Sequence, residues 1–193
     1  YSIPGNDGET YYVLSEDTIS TDATSAPDVY YCTDGSTYYT GGKLSFFHVG
    51  DVGDIMTFAG IPWIIVHKTA TEAYLTAQTA QALSMFSALN SMCSMWAYQN
   101  LTSEHRAILK TVSAGTTNGY VFVGTKDQYQ GEWSYFNSDA RRAIGIDYWT
   151  STGSRSDDYY SFVQASGGFG DRDPDYDTQL GLRPSICIDL TAL

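Results

Sequence analysis

The chain has 193 residues, enough for one packed domain with a small appendage, and its 42% hydrophobic content is that of a globular protein. Its formal net charge of -12, with only ten Lys and Arg residues, excludes the basic stripe that a nucleic-acid partner requires. No apolar run of about 18 residues is present, so we expect no membrane insertion.

Residues 1–43 are predicted to form a β-hairpin appendage or linker outside the main domain. They are polar and Tyr-rich, and Asp34-Gly35 separates two β-prone runs at 29–33 and 36–39. An Asp-Gly pair in this position is typical of a two-residue type I′ hairpin turn. A hairpin alone is marginally stable, so we expect it to pack on the outside of the domain or on another chain. The start at Tyr1, without Met or a signal-like segment, predicts a piece of a longer protein.

The main domain is predicted to span residues 44–193 and to open with strands followed by two helices. The predicted strands are 55–58, 63–67 and 73–76. An apolar stripe with helical spacing follows, formed by Ala82, Met85, Leu89, Met92 and Trp96. We expect this stripe to pack against strands that carry Ile64, Val66, Phe122, Ile186 and Ile188. A second helix is expected from Thr102, as N-cap, to about Thr111.

The second half of the domain is predicted to be mostly β-structure. Strands are expected at 120–123, 147–152, 159–165 and 185–190, and Thr125 with Gln128 is typical of a capping box. Because strands and helices do not alternate as βαβ units, the pattern predicts an α+β fold with an antiparallel sheet. Arg183 lies in an apolar strand, where we expect it to be buried and paired with a carboxylate.

The segment 153–179 is the candidate ligand-binding region. It is rich in Asp, Tyr, Ser and Gly and has no periodicity that would bury it, which is typical of a binding loop displayed by a rigid frame. We expect its aromatic side chains to be largely exposed. The candidate ligand-binding residues are Trp149, Asp157, Asp158, Tyr159, Tyr160, Phe169, Asp171, Arg172, Asp173, Asp175, Tyr176 and Asp177.

The alternating carboxylates at 171, 173, 175 and 177 raise the question of calcium. An EF-hand loop would need Gly and Glu where the chain has Tyr176 and Leu182, so an EF-hand is excluded. A looser, weak calcium site stays open beside a merely solvated acidic loop. The three cysteines are widely separated, which predicts free thiols and no metal site; they are Cys32, Cys93 and Cys187. We expect no cofactor.

No catalytic constellation is predicted. Asp157 and Asp158 are adjacent at the start of a strand, so their side chains point to opposite faces and do not share a proton as a carboxylate pair does. The histidines at 48, 67 and 105 lie outside the acidic segment, and the chain has no Gly-x-Ser-x-Gly motif. Display of the acidic segment for binding is therefore preferred over enzymatic activity.

Four stretches resemble the C-type-lectin-like fold, in the bacterial and phage branch related to the formylglycine-generating enzyme. They are Tyr-Trp-Thr-Ser-Thr at 148–152, Gly-Leu-Arg-Pro-Ser-Ile at 181–186, Gly-Ile-Pro-Trp-Ile-Ile-Val at 60–66 and Leu-Thr-Ser-Glu-His-Arg-Ala-Ile at 101–108. The resemblance covers about residues 44–193 and implies that 153–179 faces the ligand, as in the variable proteins of diversity-generating retroelements, which use this scaffold. The calcium motifs of sugar-binding lectins are missing, and Cys187 lacks the neighbouring cysteine that the enzyme uses.

The sequence therefore predicts a non-enzymatic recognition module on a phage virion, as fibre or decoration protein, or on a bacterial surface protein. Its expected partner is a host-surface protein or a glycan. The alternative is a structural virion protein, a capsid decoration or fibre subunit, whose Tyr-rich surfaces contact neighbouring subunits. A hydrolase using the acidic segment is a third possibility, and a homo-oligomer is compatible with all three.

Overall fold

The computed structural model describes the backbone of five N-terminal strands and then most of the chain from residue 49 onwards. The described ranges are 2–4, 10–13, 29–31, 36–39, 45–48, 49–153, 159–172 and 178–192. Over these residues the fold is α+β, with mostly antiparallel sheets and few helices, which confirms the predicted class.

The N-terminal strands form one antiparallel sheet of their own. They are β1 (Ser2–Pro4), β2 (Thr10–Val13), β3 (Val29–Tyr31), β4 (Ser36–Tyr39) and β5 (Ser45–His48), in the spatial order β1-β2-β5-β4-β3. Strand β5 lies inside this sheet, between β2 and β4. The sheet thus includes residues on both sides of position 44, where the sequence analysis placed the domain boundary.

Strands β3 and β4 pair as the predicted hairpin, but not in the predicted register. Tyr31 lies opposite Thr37, and Val29 lies opposite Tyr39. An odd number of residues therefore separates the partners, whereas a two-residue turn needs an even number. The connecting residues 32–35 lie outside the described residues.

The remaining strands build two larger sheets and one small hairpin. They are β6 (Ile55–Phe58), β7 (Ile61–Lys68), β8 (Glu72–Ala77), β9 (Ala82–Ser84), β10 (Leu109–Lys110), β11 (Val112–Ala114), β12 (Thr117–Gly119), β13 (Val121–Phe122), β14 (Tyr148–Gly153), β15 (Tyr160–Val163), β16 (Phe169–Arg172), β17 (Leu180–Leu182) and β18 (Ser185–Asp189). The first large sheet has the order β10-β18-β8-β7-β6, with β13 also paired to β18, and the second has the order β16-β15-β14-β17-β9. Strands β11 and β12 form the hairpin, and β14 and β17 run parallel.

Three short α-helices are described: α1 (Leu89–Asn100), α2 (Ser103–Ala107) and α3 (Asp139–Arg142). Helix α1 begins seven residues later than the apolar stripe predicted, because Ala82–Ser84 pairs as β9 with β17 and Met85 has extended backbone angles. Helix α2 ends earlier than predicted, because the residues that follow join the sheet as β10 beside β18. Its predicted N-cap is confirmed, since the Thr102 hydroxyl accepts a hydrogen bond from the backbone N–H of His105.

Both faces of the first large sheet are buried, which gives the domain two cores. The helix-side core includes Trp63, Ile65, Leu89, Trp149, Phe162, Ile186 and Ile188. The aromatic core, on the opposite face, includes Ile64, Val66, Phe122, Tyr129, Trp133, Phe136, Tyr148 and Cys187. The alternation predicted for the last strand is confirmed, since neighbouring residues of β18 enter different cores.

The second core corrects the predicted packing of the helix stripe. Ile64, Val66 and Phe122 were expected against the helix, but they point into the aromatic core. Successive side chains of a strand alternate between faces, and Trp63 and Ile65 take the helix-facing positions of β7. Met85, placed before the helix begins, is largely exposed instead of buried.

Candidate ligand-binding surface

The three strands β14, β15 and β16 bring the ends of the predicted binding segment together at one edge. Gly153, at the end of β14, lies opposite Tyr160, and Tyr160 lies opposite Arg172, at the end of β16. We call this the display end. The chain leaves the described part after Gly153 and again after Arg172, so both acidic stretches start from the same place. Their candidate residues Asp157, Asp158, Asp173, Asp175, Tyr176 and Asp177 lie outside the described residues.

The described aromatic candidates of the segment are less exposed than predicted. Tyr159 is 52% exposed, as expected of a contact residue. Tyr160 is half-buried because its ring stacks on Phe86, with the ring centroids 3.7 Å apart. Phe169 is also half-buried, with the Arg142 guanidinium 5.0 Å from its centroid. Of these three rings, Tyr159 alone presents most of its surface to solvent.

Trp149 corrects one candidate assignment, because it is 2% exposed and cannot touch a ligand in this structure. Its indole N–H donates to the backbone carbonyl of Ser84 at 2.7 Å, and its ring meets the edge of Phe86 with centroids 5.5 Å apart. The residue belongs to the helix-side core. It fixes the strand that carries the display end instead of forming part of the surface.

The two described charged candidates each have a partner of opposite charge. Asp171 lies 3.6 Å from the Lys126 ammonium, and an Arg172 nitrogen lies 3.8 Å from the Asp147 carboxylate. The Arg172 guanidinium also covers the Phe162 ring, 5.2 Å from its centroid. Because these groups are well exposed to solvent, the two ion pairs add little to stability. The two ion pairs form a surface of mixed charge, and a charged group of a ligand can replace one member of either pair.

Lys126 and Asp147 are surface residues that the sequence analysis did not identify. Lys126 is distant in sequence from 153–179 and Asp147 comes just before β14, and the fold brings each within ion-pair distance of a residue of β16. Lys126 is positioned because its backbone N–H donates to the Thr152 hydroxyl at 2.8 Å. The predicted capping box beside it is confirmed, with Gln128 Oε1 accepting from the Thr125 N–H at 2.8 Å. The capping-box pattern was the one feature of the sequence that indicated an ordered turn at Lys126.

A buried arginine pair anchors the loop before β14 to the sheet. Arg183 is fully buried, and it donates to the Ala77 carbonyl at 2.8 Å and to the Tyr148 hydroxyl at 2.9 Å. The Tyr148 hydroxyl in turn donates to the Arg142 carbonyl at 2.8 Å. Burial raises the pKa of Tyr148, so this hydroxyl stays a donor. The predicted ion pair of Arg183 is wrong: among the described residues its partners are carbonyls, a hydroxyl and aromatic rings, not a carboxylate.

The two cysteines in the described part of the chain are free thiols. Cys93 and Cys187 are free and buried, and burial raises the pKa of each to about 12, which keeps both as unreactive thiols. Over the ranges that the structure describes, no group of three or more His, Cys, Asp or Glu residues could hold a metal ion. Three of the four alternating carboxylates lie outside those ranges, so the weak calcium site stays a prediction.

No match to this chain was found among models of known protein families, curated proteins or solved structures. None of the helices in the described ranges is long and apolar enough to cross a membrane. The assignment of a function thus depends on the residues and geometry given above.

Proposed function

We propose that the chain is a non-enzymatic recognition module whose ligand-facing surface is the display end together with the segment 153–179. The observation that carries the proposal is the register of Gly153, Tyr160 and Arg172, which makes two acidic, Tyr-bearing stretches start from one edge of a sheet. That sheet is backed by Trp149 and Phe162, which are buried. A rigid frame under segments of this composition favours binding, because the frame itself does not have to be ordered when a ligand arrives.

The proposal includes the C-type-lectin-like scaffold and a location on a phage virion or a bacterial surface protein, with a host-surface protein or a glycan as ligand. The sequence stretches quoted above support the scaffold, and so does an α+β arrangement in which two helices stand between blocks of antiparallel strands. The charged groups of β16 and their partners suit a polar ligand, since both acidic and basic groups are present to pair with it.

A binding screen with the intact chain tests this function. Fluorescently labelled protein would be applied to a glycan array and to a panel of bacterial cells, with heat-denatured protein as control. We expect saturable retention on a restricted set of glycans or cells. Uniform absence of retention, together with turnover of a glycan or ester substrate by the same preparation, would favour the hydrolase alternative.

The segment 153–179 can also be a variable region, as in the proteins of diversity-generating retroelements, and the DNA beside the coding region tests this. A near-copy of the codons for 149–184 that differs only at adenines, next to a reverse-transcriptase gene, is expected if the segment is a variable region. If the flanking DNA has neither, the display end is an invariant binding surface.

A structural virion role is the second candidate, and exposed apolar side chains favour it. Leu83 is 59% exposed on the edge strand β9, opposite Gly181, and Ile146 is 44% exposed. Ile146 and Ala80 flank Gly181 closely, since a Cβ built there would lie 3.1 and 3.0 Å from their side chains. An apolar patch of this kind often marks a subunit contact. Replacing Leu83 by Asp should dissociate an oligomer in sedimentation analysis if subunits meet here, and should change nothing if the chain acts as a monomer.

A further inference from the structure

A cleft lies between α1, helix α2 and the connection from β12 to β13. Its volume is about 220 Å³, and its lining includes Ser94, Tyr98, Arg106, Gly119 and Tyr120. None of the lining residues comes from the strands β14 to β17. The cleft therefore uses different parts of the chain from the proposed recognition surface.

Arg106 is the charged group of the cleft, and it is held in place without a carboxylate. Its side chain is half-buried, and one guanidinium nitrogen donates to the Ala97 carbonyl near the end of α1 at 3.1 Å. Among the described residues no acidic group lies within ion-pair distance of it. Other described cations do have such a partner; they are Lys68, Lys110, Lys126, Arg142 and Arg172. A guanidinium has five N–H donors, so several remain for a ligand.

Two tyrosines give the cleft its aromatic walls. Tyr98 is 81% exposed, the highest value among the large apolar side chains of the described chain, whereas Tyr120 is half-buried against the helix-side core. An exposed ring beside a fixed guanidinium is typical of a contact surface, because Tyr buries a large area on binding at a low entropic cost. The Ser94 hydroxyl donates to the Asn90 carbonyl at 3.0 Å, which leaves its oxygen to accept.

The backbone keeps the mouth of the cleft in shape. Asn90 Oδ1 accepts a hydrogen bond from the Asn118 N–H at 2.8 Å and so ties β12 to α1. Gly119 has a φ of 148°, which favours glycine, and because glycine has no side chain nothing projects from this position over the lining. The walls are therefore held by bonds that do not depend on a ligand, which lowers the cost of ordering on binding.

We propose that this cleft binds a carboxylate attached to a small single-ring compound. A planar guanidinium with free donors matches a carboxylate by paired hydrogen bonds, and the tyrosine rings offer a face for the ring of the ligand. The volume is below the roughly 300 Å³ at which sites for drug-sized ligands begin, so the cleft suits a compound of one ring. The ring can be that of an acidic monosaccharide or of an aromatic acid.

Titration of the intact chain with four probes, followed by amide NMR shifts, tests the site. The probes are glucuronate and benzoate, with glucose and benzamide as their uncharged counterparts. We expect one of the two acids to bind with a dissociation constant in the range of about 1 mM, to shift the signals of Tyr98 and Gly119, and to bind at least about tenfold more tightly than its uncharged counterpart. Which acid binds identifies the ring.

Variants then assign the binding to named residues. Arg106→Gln and Tyr98→Ser should each weaken binding of the acid several-fold, whereas Tyr159→Ser, an exposed tyrosine at the display end, should leave it unchanged. A melting curve for each variant shows that the fold is kept, and the shifts in the unmodified chain test the site even if Arg106→Gln unfolds. The proposal is overturned if neither acid binds, if the uncharged probes bind equally well, or if the shifts fall outside the cleft. None of these outcomes affects the display end, which the cleft does not share.

Discussion

At the scale of single residues, the buried Arg183 shows how much one side chain can hold together. It joins Ala77 on β8, Tyr148 on β14 and the Arg142 carbonyl, while its guanidinium faces the rings of Phe136 and Tyr148 at 5.3 and 5.1 Å. Within the described part of the chain, one of its nitrogens has no hydrogen-bond partner. The side chain therefore stabilises the contact between the two large sheets by hydrogen bonds and ring contacts, without a counter-ion among the described residues.

Replacing Arg183 by Met should lower the free energy of unfolding by about 3 kcal/mol or more. The change removes the donor to the buried Ala77 carbonyl and one of the two hydrogen bonds at each of the Tyr148 hydroxyl and the Arg142 carbonyl, which keep the bond between them. Leaving a buried polar group without its partner costs about 1–3 kcal/mol. Arg172→Met is the matched control, because Arg172 is exposed and its ion pair is worth about 1 kcal/mol or less. Urea unfolding at constant m-value measures both. Equal losses of unfolding free energy for the two variants would show that the buried hydrogen bonds of Arg183 stabilise the fold no more than an exposed ion pair does.

His105 makes the stability of the chain depend on pH. Burial near the Phe58 ring, with centroids 4.8 Å apart, lowers the pKa of His105 below its ordinary value of about 6.5. As the pH falls through about 6.5, His105 becomes protonated in the unfolded chain but stays neutral in the folded chain. The free energy of unfolding therefore decreases. Protonation would also remove the His105 Nδ1 atom as acceptor for the Thr102 N–H, which it meets at 3.2 Å.

His105→Gln separates this effect from the loss of the cap. Glutamine at the third helical position can still accept from the Thr102 N–H, but it does not titrate. The difference in unfolding free energy between pH 7 and pH 5 should therefore be smaller in the variant than in the unmodified chain. Parallel curves for the two proteins over this range would rule out His105 as the titrating group.

Residue types indicated burial better than they indicated partners. Arg183 stands in a strand of apolar residues, and from that context its burial could be predicted. Its hydrogen bonds could not, because Ala77 and Tyr148 are distant in sequence and the expected carboxylate is replaced by carbonyls and rings. For Trp149 the burial itself was not predicted. Its place beside the binding segment suggested a contact residue, whereas the alternation of side chains along the strand points it into the core.

At the scale of elements, local turn and cap signals were more reliable than apolar spacing. The caps at Thr102 and Thr125 are where the sequence indicates, because each depends on residues only three positions apart. The apolar spacing that begins at Ala82 fits a helix, but Ala82–Ser84 forms the strand β9 instead. It does so because it pairs with β17, about a hundred residues later in the chain. Pairing across such a distance leaves no local pattern to recognise.

The β11–β12 hairpin gives a test of how tightly its elements pack. Gly115 has a φ of 54°, and a Cβ added there would collide with the Ser151 carbonyl, whereas Gly60 has a φ of 80° with nothing within 4 Å of such an atom. Gly60→Ala should cost about 1 kcal/mol for the backbone conformation alone. Gly115→Ala should cost about 1–3 kcal/mol more, because the neighbouring strand must move. Thermal unfolding compares the two, and equal losses would mean that β14 yields freely at Ser151.

At the scale of the whole molecule, the described part of the chain combines a well-packed frame with a polar surface at one edge of a sheet. The acidic composition of 153–179 indicated the surface, and the register of β14, β15 and β16 brings its starting points together. Which of the aromatic side chains are exposed could not be predicted, because Tyr160 and Phe169 are half-buried by Phe86 and Arg142, which come from elsewhere in the chain. The sequence indicated the region, and among the described candidate rings the fold leaves Tyr159 exposed.

The central claim is that ligands meet the display end, and a matched pair of tyrosine variants tests it most directly. Tyr159→Ser, combined with Asp171→Asn, changes the display end, and Tyr98→Ser changes an even more exposed tyrosine on α1. Dissociation constants on the glycan or cell type retained in the binding screen would be measured for both, with melting temperatures as a check of folding. We expect the display-end variant to bind at least about tenfold more weakly and Tyr98→Ser to bind normally, since contact aromatics carry much of the binding energy. Normal binding by a folded display-end variant would contradict the account.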